Sequence, residues 1–569
     1  MEKGTTTGWE VIPPLPAEVA AARGDEPAGL ASGGLTVASA VAEAPIPAAD
    51  PVPGTGGRRV PGMRLWGWAG WPLLAVLAVQ TALSLRLIGA DTAYQDEAAY
   101  LWAGHLELAH WLHGTAIPPF PYYFSGAPVI YPPLGALADA VGGLAGARVL
   151  SLLFMLGATA LLWATAGRMF GRRAAFFAAA LFAVLGTTLH LGSFATYDGL
   201  AVLLIALAAW LVVSAGSRPD ATGRMVAAGV ALAVANAAAY SSVLFDLIVL
   251  AVAVLIALPS GRRVVARRGV TLLIVVTALL TAGLLIGGGT YISGINRTTL
   301  TQMAGTESAF SVLADSWSWA GILIVLAVCG LIASWVRREG RAQTLSLAVL
   351  TAAAILGPLE QARLHSAASL DKHVGLGAWF AAIAAGYAAD RLIAAAPAGQ
   401  TRAVTCGACV VALAFPASLG ATQSRTFATS WPNSASFTAI LSPMADQGGR
   451  LLVEDPAIAE YYLPAGSQWQ RWSSTRNIAL TAGASTGHPA QSTGVVGAGN
   501  PAAFARYIAQ GYCAVVALNF ADTTPLDHSI RADLSRNPNY HLAQVVPYGI
   551  EVPPIGKGTY IIWRYQPPK

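Results

Sequence analysis

Residues 269–288 read GVTLLIVVTALLTAGLLIGG, a run of twenty residues without a charged side chain. An α-helix of about 20 apolar residues is long enough to cross the hydrocarbon core of a bilayer. Two pairs of arginines precede this run, Arg262 with Arg263 and Arg267 with Arg268. Basic residues concentrate in the cytoplasmic connections of membrane proteins. The segment therefore predicts a transmembrane helix that enters the bilayer from the cytoplasmic side.

Similar apolar runs recur from Trp66 to Gly420. We expect eleven transmembrane helices, near residues 68–89, 146–167, 174–193, 197–216, 225–241, 243–259, 269–288, 318–336, 343–359, 374–393 and 402–420. Arginines are found in every second connection between these segments, which is the asymmetry of the positive-inside rule. This alternation predicts a cytoplasmic N-terminus and, because the number of helices is odd, a C-terminal region outside the cell.

The composition agrees with a membrane protein. Hydrophobic residues make up 55% of the chain and charged residues 11%, whereas about a quarter of the residues of a soluble domain are charged. The net charge of +5 comes mostly from arginines at helix ends. It therefore indicates membrane orientation, and we expect a lipid bilayer rather than a nucleic acid as the partner of this surface.

The chain divides into three predicted parts. Residues 1–64 are rich in Ala, Pro, Gly and Glu and predict a disordered cytoplasmic tail. Residues 65–420 form the polytopic all-α transmembrane domain, and residues 421–569 predict an extracytoplasmic α/β domain. The strands expected in this last domain are Leu451–Val453, Ala514–Leu518, Leu542–Val546 and Tyr560–Trp563, and the helices are Ser434–Met444, Pro456–Tyr462 and Pro501–Gln510.

The longest polar connection, residues 91–147, is called the first loop below and begins DTAYQDEAAYLWAGHLELAHWLHG. Apolar and aromatic residues recur in it at helical spacing, which predicts a helix along the membrane surface with Asp96 and Glu97 near its start. One of these carboxylates could take a proton from an acceptor hydroxyl while the other orients the acceptor or a metal. The alternative is that both acids only complement the helix dipole.

Further polar groups are candidate substrate ligands. Asp198 lies at the outer end of the fourth predicted helix and could hold an acceptor or a divalent cation, or could act only as a helix N-cap. Three further candidates are its neighbour Tyr197, and Tyr131 and Asp139 in the first loop. The alternative for the two tyrosines is that they only lie at the membrane interface, where tyrosine is common in membrane proteins generally.

Several of these residues form a recognisable order along the chain. An acidic pair follows the first transmembrane helix, and a Tyr-Pro-Pro-Leu segment, an arginine, a Phe-Gly-Arg-Arg turn and a Thr-Tyr-Asp-Gly segment follow in turn. They are Asp96–Glu97, residues 131–134, Arg148, residues 170–173 and residues 196–199. This order resembles the membrane glycosyltransferases of the protein O-mannosyltransferase and aminoarabinose-transferase type, over residues 66 to about 395.

The resemblance implies the GT-C fold and an inverting sugar transfer on the outer face of the membrane. It implies a polyprenyl-phosphate sugar as donor, with Asp96 as the general base, and a cell-envelope glycan, lipid or protein as acceptor. No further cofactor is assigned, and a divalent cation stays an open alternative. The rival interpretation is a transporter or flippase, which would carry ionisable groups near the middle of several helices and an inverted repeat.

Such a reaction needs cations that neutralise the phosphate leaving group. The segment EQARLHSAASLDKHVG, residues 360–375, supplies Arg363, His365, Lys372 and His373 as predicted phosphate ligands. Lys372 is the only lysine between Lys3 and Lys557, and a compact ammonium suits a phosphate. The alternative is that Lys372 only extends towards the interface from a helix end. The spacing of the two histidines is not that of a zinc site, and no metal ligands are assigned.

Overall fold

The computed structural model describes residues 70–567 except 217, 219, 301–304, 476–477, 480–494, 497–500, 521–523 and 549–557. The predicted cytoplasmic tail, residues 1–64, therefore lies outside the described residues. The described chain forms a helical region followed by a smaller α/β region, as predicted from the sequence.

The helical region contains fourteen α-helices among the described residues. They are α1 (Trp71–Ile88), α2 (Gln95–His113), α3 (Tyr131–Phe170), α4 (Arg172–Ala183), α5 (Gly186–Leu191), α6 (Asp198–Ala215), α7 (Thr222–Ala238), α8 (Asp246–Ala257), α9 (Arg262–Ile295), α10 (Ala309–Val336), α11 (Arg341–Arg363), α12 (Leu370–Ala395), α13 (Gln400–Ala412) and α14 (Ala414–Ala428). Short 3₁₀ turns at Phe120–Tyr122 and Tyr240–Phe245 interrupt the connections around α2 and α8.

Eight helical stretches of the described chain are long and apolar enough to cross a membrane, which confirms a multi-pass protein. The predicted count of eleven is not confirmed. The predicted span 174–193 is divided between α4 and α5, and α7 has 17 residues. Helix α12 carries Asp371, Lys372 and Asp390, which lower its hydropathy.

Helix α3 is longer than the predicted span 146–167 because it begins at Tyr131, where two prolines occupy its first turn. Proline is well tolerated there, since the first-turn N–H groups have no helical partner. The helix kinks at Gly142 and Gly143, and Gly143 has φ 60°. A residue with a Cβ atom rarely adopts this backbone conformation. The kink separates a first half that packs on α2 from a second half in the apolar core.

Helix α12 lies at the centre of the helical region, packed against α4, α10 and α11, and most of its side chains are buried. Glycine and alanine make these close approaches feasible. A Cβ atom on Gly386 would lie 2.3 Å from the carbonyl oxygen of Ala174 in α4, and one on Gly377 would lie 2.3 Å from that of Ala353 in α11. Small residues at helix contacts are typical of membrane bundles. The N-terminus of α12, which carries Lys372, is therefore held in place by backbone-to-backbone packing.

The C-terminal region, residues 429–567, follows α14 and contains an α/β domain, as predicted. Its helices are α15 (Ala435–Ala445), α16 (Ala457–Tyr462), α17 (Pro501–Ala509) and α18 (Thr524–Arg536). Its strands are β1 (Leu451–Val453), β2 (Trp472–Ser474), β3 (Ile478–Ala479), β4 (Val495–Val496), β5 (Val515–Leu518), β6 (Tyr540–Tyr548) and β7 (Gly558–Tyr565). The main sheet has the order β2-β1-β5-β7-β6, with β1 parallel to β2 and β5 and with β7 antiparallel to β5 and β6.

The predicted strands and helices of this domain all lie within or overlap elements of the structure, whereas α18 and the short strands β2, β3 and β4 were not predicted. Helix α18 buries Leu526, Ile530 and Leu534 against the sheet. These residues are four apart, so a helical apolar stripe was readable in the sequence. Strand β2 has only three residues, too few for an alternating pattern.

Candidate active site

Helix α2 begins where the sequence predicts, one residue before the acidic pair. The backbone N–H of Tyr94 donates to the Glu97 carboxylate at 2.9 Å, which satisfies one of the groups left free at the helix start. The helix ends at Gly114, whose φ of 67° suits a left-handed cap, and the Gly114 N–H donates to the His110 carbonyl oxygen at 2.8 Å. Both Asp96 and Glu97 are buried.

The Glu97 carboxylate is fully occupied by hydrogen bonds from neighbouring elements. Arg148 of α3 donates to both of its oxygens, at 2.8 and 2.7 Å, and the Ala195 N–H donates at 2.7 Å. Glu97 is 0% exposed and Arg148 is 1% exposed. A bidentate pair of this kind gives a rigid geometry. Glu97 therefore fixes the start of α2, and its predicted catalytic role stays a prediction.

The guanidinium of Arg148 also organises the chain that enters α2. It donates to the carbonyl oxygens of Ile88, Asp91 and Thr92 at 2.7, 3.1 and 3.2 Å. The connection between α1 and α2 is therefore wrapped around one buried cation.

Asp96 faces a different partner. Its Oδ2 accepts a hydrogen bond from the ammonium group of Lys372 in the first turn of α12, and each residue is 5% exposed. The two residues are 276 positions apart in the chain. This contact brings together the acidic loop and the cationic segment that the sequence placed separately, and it excludes the interpretation of Lys372 as a side chain extended into the interface.

Asp198 lies in the first turn of α6 and is also buried, and its Oδ2 has no hydrogen-bond partner among the described residues. Unpaired polar atoms are rarely buried. Asp198 lies near enough to Asp96 and Lys372 for their charges to interact, and the buried polar cluster that these three side chains form at the starts of α2, α6 and α12 is called the chamber below. Among the described residues, no group of three or more His, Cys, Asp and Glu side chains could hold a metal ion.

A second layer of polar groups lies behind Lys372. The Asp371 carboxylate is 3.0 Å from Nε2 of His190 in α5, and both side chains are buried. His373 contacts the Gln361 amide of α11 through Nδ1. The sequence prediction assigned His373 but missed His190, although a lone histidine in the predicted span 174–193 was a signal for a functional group.

Three tyrosines line the same region. The rings of Tyr100 and Tyr197 are 4.8 Å apart between centroids, and Tyr131 packs edge-to-face on Tyr100 at 6.4 Å. Burial raises the pKa of the Tyr100 hydroxyl well above its usual value, and the nearby Tyr197 and Asp96 raise it further. Tyr100 therefore stays protonated and can act as a hydrogen-bond donor. The Tyr131 hydroxyl is buried and has no partner among the described residues.

Other predicted residues lie in separate contacts. Arg363 is exposed at the end of α11 and pairs with Glu360, at 2.9 Å from Nε. Nδ1 of His365 is 2.8 Å from the Glu307 carbonyl oxygen. The predicted cationic cluster is thus divided, with Lys372 and His373 at the start of α12, Arg363 at the end of α11 and His365 in the loop between these helices. The physical reason is that α12 starts at Leu370 and carries only the last two of these residues inwards.

Asp139, a predicted substrate ligand, contacts two protein groups. Its Oδ1 accepts a hydrogen bond from the Tyr461 hydroxyl at 2.6 Å, and its Oδ2 lies 2.7 Å from His105 Nε2. The residue therefore joins α2, α3 and α16, and a substrate role for it stays a prediction.

The approach of α2 to α3 provides a test of how the site is positioned. A Cβ atom on Gly104 would lie 1.9 Å from the Pro132 carbonyl oxygen. We expect Gly104→Ala to force the helices apart and lower the free energy of unfolding by about 1–3 kcal/mol, the usual cost of overpacking. Thermal unfolding of the purified protein measures this. Gly89→Ala is the control, because nothing lies within 4 Å of its Cβ position. Equal melting temperatures for both variants would contradict the close approach.

Comparisons with known proteins agree with this architecture. The model of the dolichyl-phosphate-mannose-protein mannosyltransferase family matches residues 137–286. The apo crystal structure of ArnT from Cupriavidus metallidurans superposes with a TM-score of 0.54 at 16% identity, over 86% of this chain and 98% of that chain. ArnT bound to undecaprenyl phosphate gives 0.53 at 16% identity, over 87% and 98%. No curated protein sequence matches this chain.

A third match is the oligosaccharyltransferase AglB from Archaeoglobus fulgidus, in complex with an inhibitory peptide and a dolichol-phosphate. Its TM-score is 0.51 at 14% identity, over 87% of this chain and 74% of that chain. These matches confirm the predicted fold. The chain has the GT-C fold, and the part of its helical region from 137 to 286 is similar to the dolichyl-phosphate-mannose-protein mannosyltransferase family.

Proposed function

We propose that this chain is an inverting glycosyltransferase that moves a sugar from a polyprenyl-phosphate donor to a hydroxyl of a cell-envelope acceptor. The observation that carries the proposal is the buried contact of Asp96 with Lys372 in a GT-C fold. Two solved proteins of this fold bind a polyprenyl phosphate, undecaprenyl phosphate in ArnT and dolichol-phosphate in AglB. The acceptor is a glycan, a lipid or a protein.

The chemistry follows from the two charges. The Asp96 carboxylate takes the proton of the acceptor hydroxyl, and the acceptor oxygen then attacks the anomeric carbon from the face opposite the phosphate. The bond from that carbon to the phosphate oxygen breaks, and the polyprenyl phosphate leaves with the electron pair. The Lys372 ammonium orients the Asp96 carboxylate through a hydrogen bond and stabilises the phosphate charge as it develops.

The neighbouring groups complete this assignment. Tyr197, Asp198 and Tyr131 surround the place where the sugar and the acceptor would meet, and Tyr100 adds a hydroxyl donor. His373 extends the cationic side of the chamber. Arg363 and His365 would reach a phosphate only after leaving Glu360 and the Glu307 carbonyl, so we assign them to donor entry rather than to the reacting phosphate.

The two substrates would meet at the boundary between the membrane and water. A polyprenyl chain needs an apolar environment, whereas a glycan or protein acceptor is water-soluble, and the chamber lies where the helix ends meet the C-terminal domain. We assign the chamber to the outer face and the N-terminus to the cytoplasm, in agreement with the distribution of arginines.

The alternative of a transporter or flippase is not favoured. It predicts ionisable residues near the middle of several helices, whereas Asp96, Asp198 and Lys372 all lie in the first turns of their helices. The fold matches are to transferases.

Asp96→Asn tests the assignment of the base. The amide keeps the size of the side chain but cannot take a proton, so we expect sugar transfer to fall by about 10²–10⁴-fold. Membranes with each variant are incubated with labelled polyprenyl-phosphate sugars, and both transfer and donor loss are followed. Asp446→Asn, on the exposed surface of the C-terminal domain, is the control. Equal turnover by Asp96→Asn would refute the base, and an inactive wild type with every donor would refute the enzyme.

A further inference from the structure

The connection that leads into α2, residues 91–94, is held from two opposite sides. On one side Arg148 of α3 binds its carbonyl oxygens, as described above. On the other side the contacts come from the C-terminal region, more than 330 residues later in the chain. The proposed base, Asp96, lies only two residues beyond this connection.

The contacts from the C-terminal region are specific hydrogen bonds. The Ala93 N–H donates to the Tyr462 hydroxyl at 2.7 Å, and Trp431 Nε1 donates to the Thr92 carbonyl oxygen at 3.1 Å. The Asn433 amide donates to the Asp91 carboxylate at 2.7 Å. Arg148 thus binds the connection through carbonyl oxygens, and the C-terminal region binds it through the Ala93 N–H, the Thr92 carbonyl oxygen and the Asp91 carboxylate, so the position of the connection depends on both.

The contact continues along the first half of α2. Trp102 Nε1 donates to the Gly466 carbonyl oxygen at 3.0 Å. Next to Tyr462, the Tyr461 hydroxyl donates to Asp139, which also contacts His105 in the middle of α2. Beyond the helix end, Trp469 Nε1 donates to the Ala116 carbonyl oxygen at 3.0 Å. The segment 457–469 thus contacts the first half of α2 and the residues on both sides of the helix.

We propose that the C-terminal domain is part of the catalytic apparatus, and that Tyr462 and Tyr461 are positioning residues that hold α2 so that Asp96 meets Lys372 and the acceptor. This inference rests on the proposed function, because the position of Asp96 matters for transfer only if Asp96 is the base. A displacement of about 1 Å at a reacting group can cost about 100-fold in rate. The domain therefore acts on the chemical step through α2, without touching the reacting atoms.

Tyr462→Phe and Tyr461→Phe test this proposal in the full-length protein. Each change removes one hydroxyl and keeps the ring, so the fold is retained. We expect kcat to fall by about 10-fold in each single variant and further in the double variant, with the KM for the donor changed less than 2-fold. Tyr540→Phe is the matched control, because its hydroxyl donates to the Cys513 carbonyl oxygen at 2.7 Å inside the same domain. This control is expected to keep the wild-type kcat.

Hydrogen–deuterium exchange provides a readout that does not need activity. In Tyr462→Phe the Ala93 N–H loses its acceptor, so we expect faster exchange in peptides that cover residues 91–98, and no such change in Tyr540→Phe. Faster exchange together with a lower kcat supports the proposal. Unchanged exchange, or equal losses of kcat in Tyr462→Phe and Tyr540→Phe, would overturn it. Faster exchange in a protein whose wild type transfers no sugar would overturn the proposed function instead, while the hold on α2 would stand.

Discussion

Lys372→Met is expected to abolish measurable sugar transfer, with a loss of at least about 1000-fold. Methionine keeps most of the length and apolar volume of the lysine side chain but removes its charge. Asp96 and Asp198 are then left in a buried chamber without their cation, and Asp96 loses the hydrogen bond that orients its carboxylate. A misplaced base reacts far more slowly, and the leaving phosphate also loses its counter-charge. Transfer from a labelled polyprenyl-phosphate sugar measures the effect.

Two further variants show which property of Lys372 matters. Lys372→Arg keeps the charge, but the planar guanidinium is larger and has a different hydrogen-bond geometry. We therefore expect this variant to retain only a small part of the wild-type transfer activity. Arg363→Met removes a cation that is exposed and paired with Glu360, so its loss should be about 10-fold at most. An equal loss in Arg363→Met and Lys372→Met would place the phosphate site on the loop before α12 and contradict the chamber.

Much of this site was readable in the sequence because the relevant signals are local. Hydropathy and arginine placement indicate a multi-pass protein, and the periodicity of the first loop indicates a helix that begins near Asp96. Lys372 stood out because the chain otherwise uses arginine. Each of these inferences needs only a window of residues, and the structure confirms the helix and the multi-pass fold.

The pairing of these signals was not readable, because it depends on packing between distant segments. No local pattern indicates that Lys372 contacts Asp96 across 276 positions, or that Tyr462 accepts a hydrogen bond from Ala93 across 369. The separation of Arg363 and His365 from Lys372 follows from the residue at which α12 begins, and a serine before an apolar run is only a weak sign of a helix start, because serine is also common in loops. Ser369, which precedes α12, makes no side-chain cap.

The Glu97–Arg148 pair is the contact whose loss should cost most in stability. Both side chains are buried, and removing one partner of a buried ion pair leaves the other charge without compensation, which typically costs about 3–5 kcal/mol. We therefore expect Glu97→Gln and Arg148→Met each to lower the free energy of unfolding by an amount in this range. Thermal or denaturant unfolding of the protein in detergent micelles measures both. Glu360→Gln, which breaks only the exposed pair with Arg363, is the control and should cost less than about 1 kcal/mol.

The double variant separates the charge pair from a catalytic role of Glu97. With both charges removed, neither is left uncompensated, so the double variant should lose clearly less stability than the sum of the two single variants. Strict additivity would contradict the buried pair. The activity of the double variant then bears on the second predicted catalytic residue. If Glu97 only fixes α2, transfer should recover along with stability, because the amide oxygen of Glu97→Gln can still accept a hydrogen bond from the Ala195 or Tyr94 N–H, and the Ala93 N–H still donates to Tyr462. If stability recovers and transfer does not, the Glu97 carboxylate itself takes part in the reaction, and Asp96 is not the only acid that the chemistry needs.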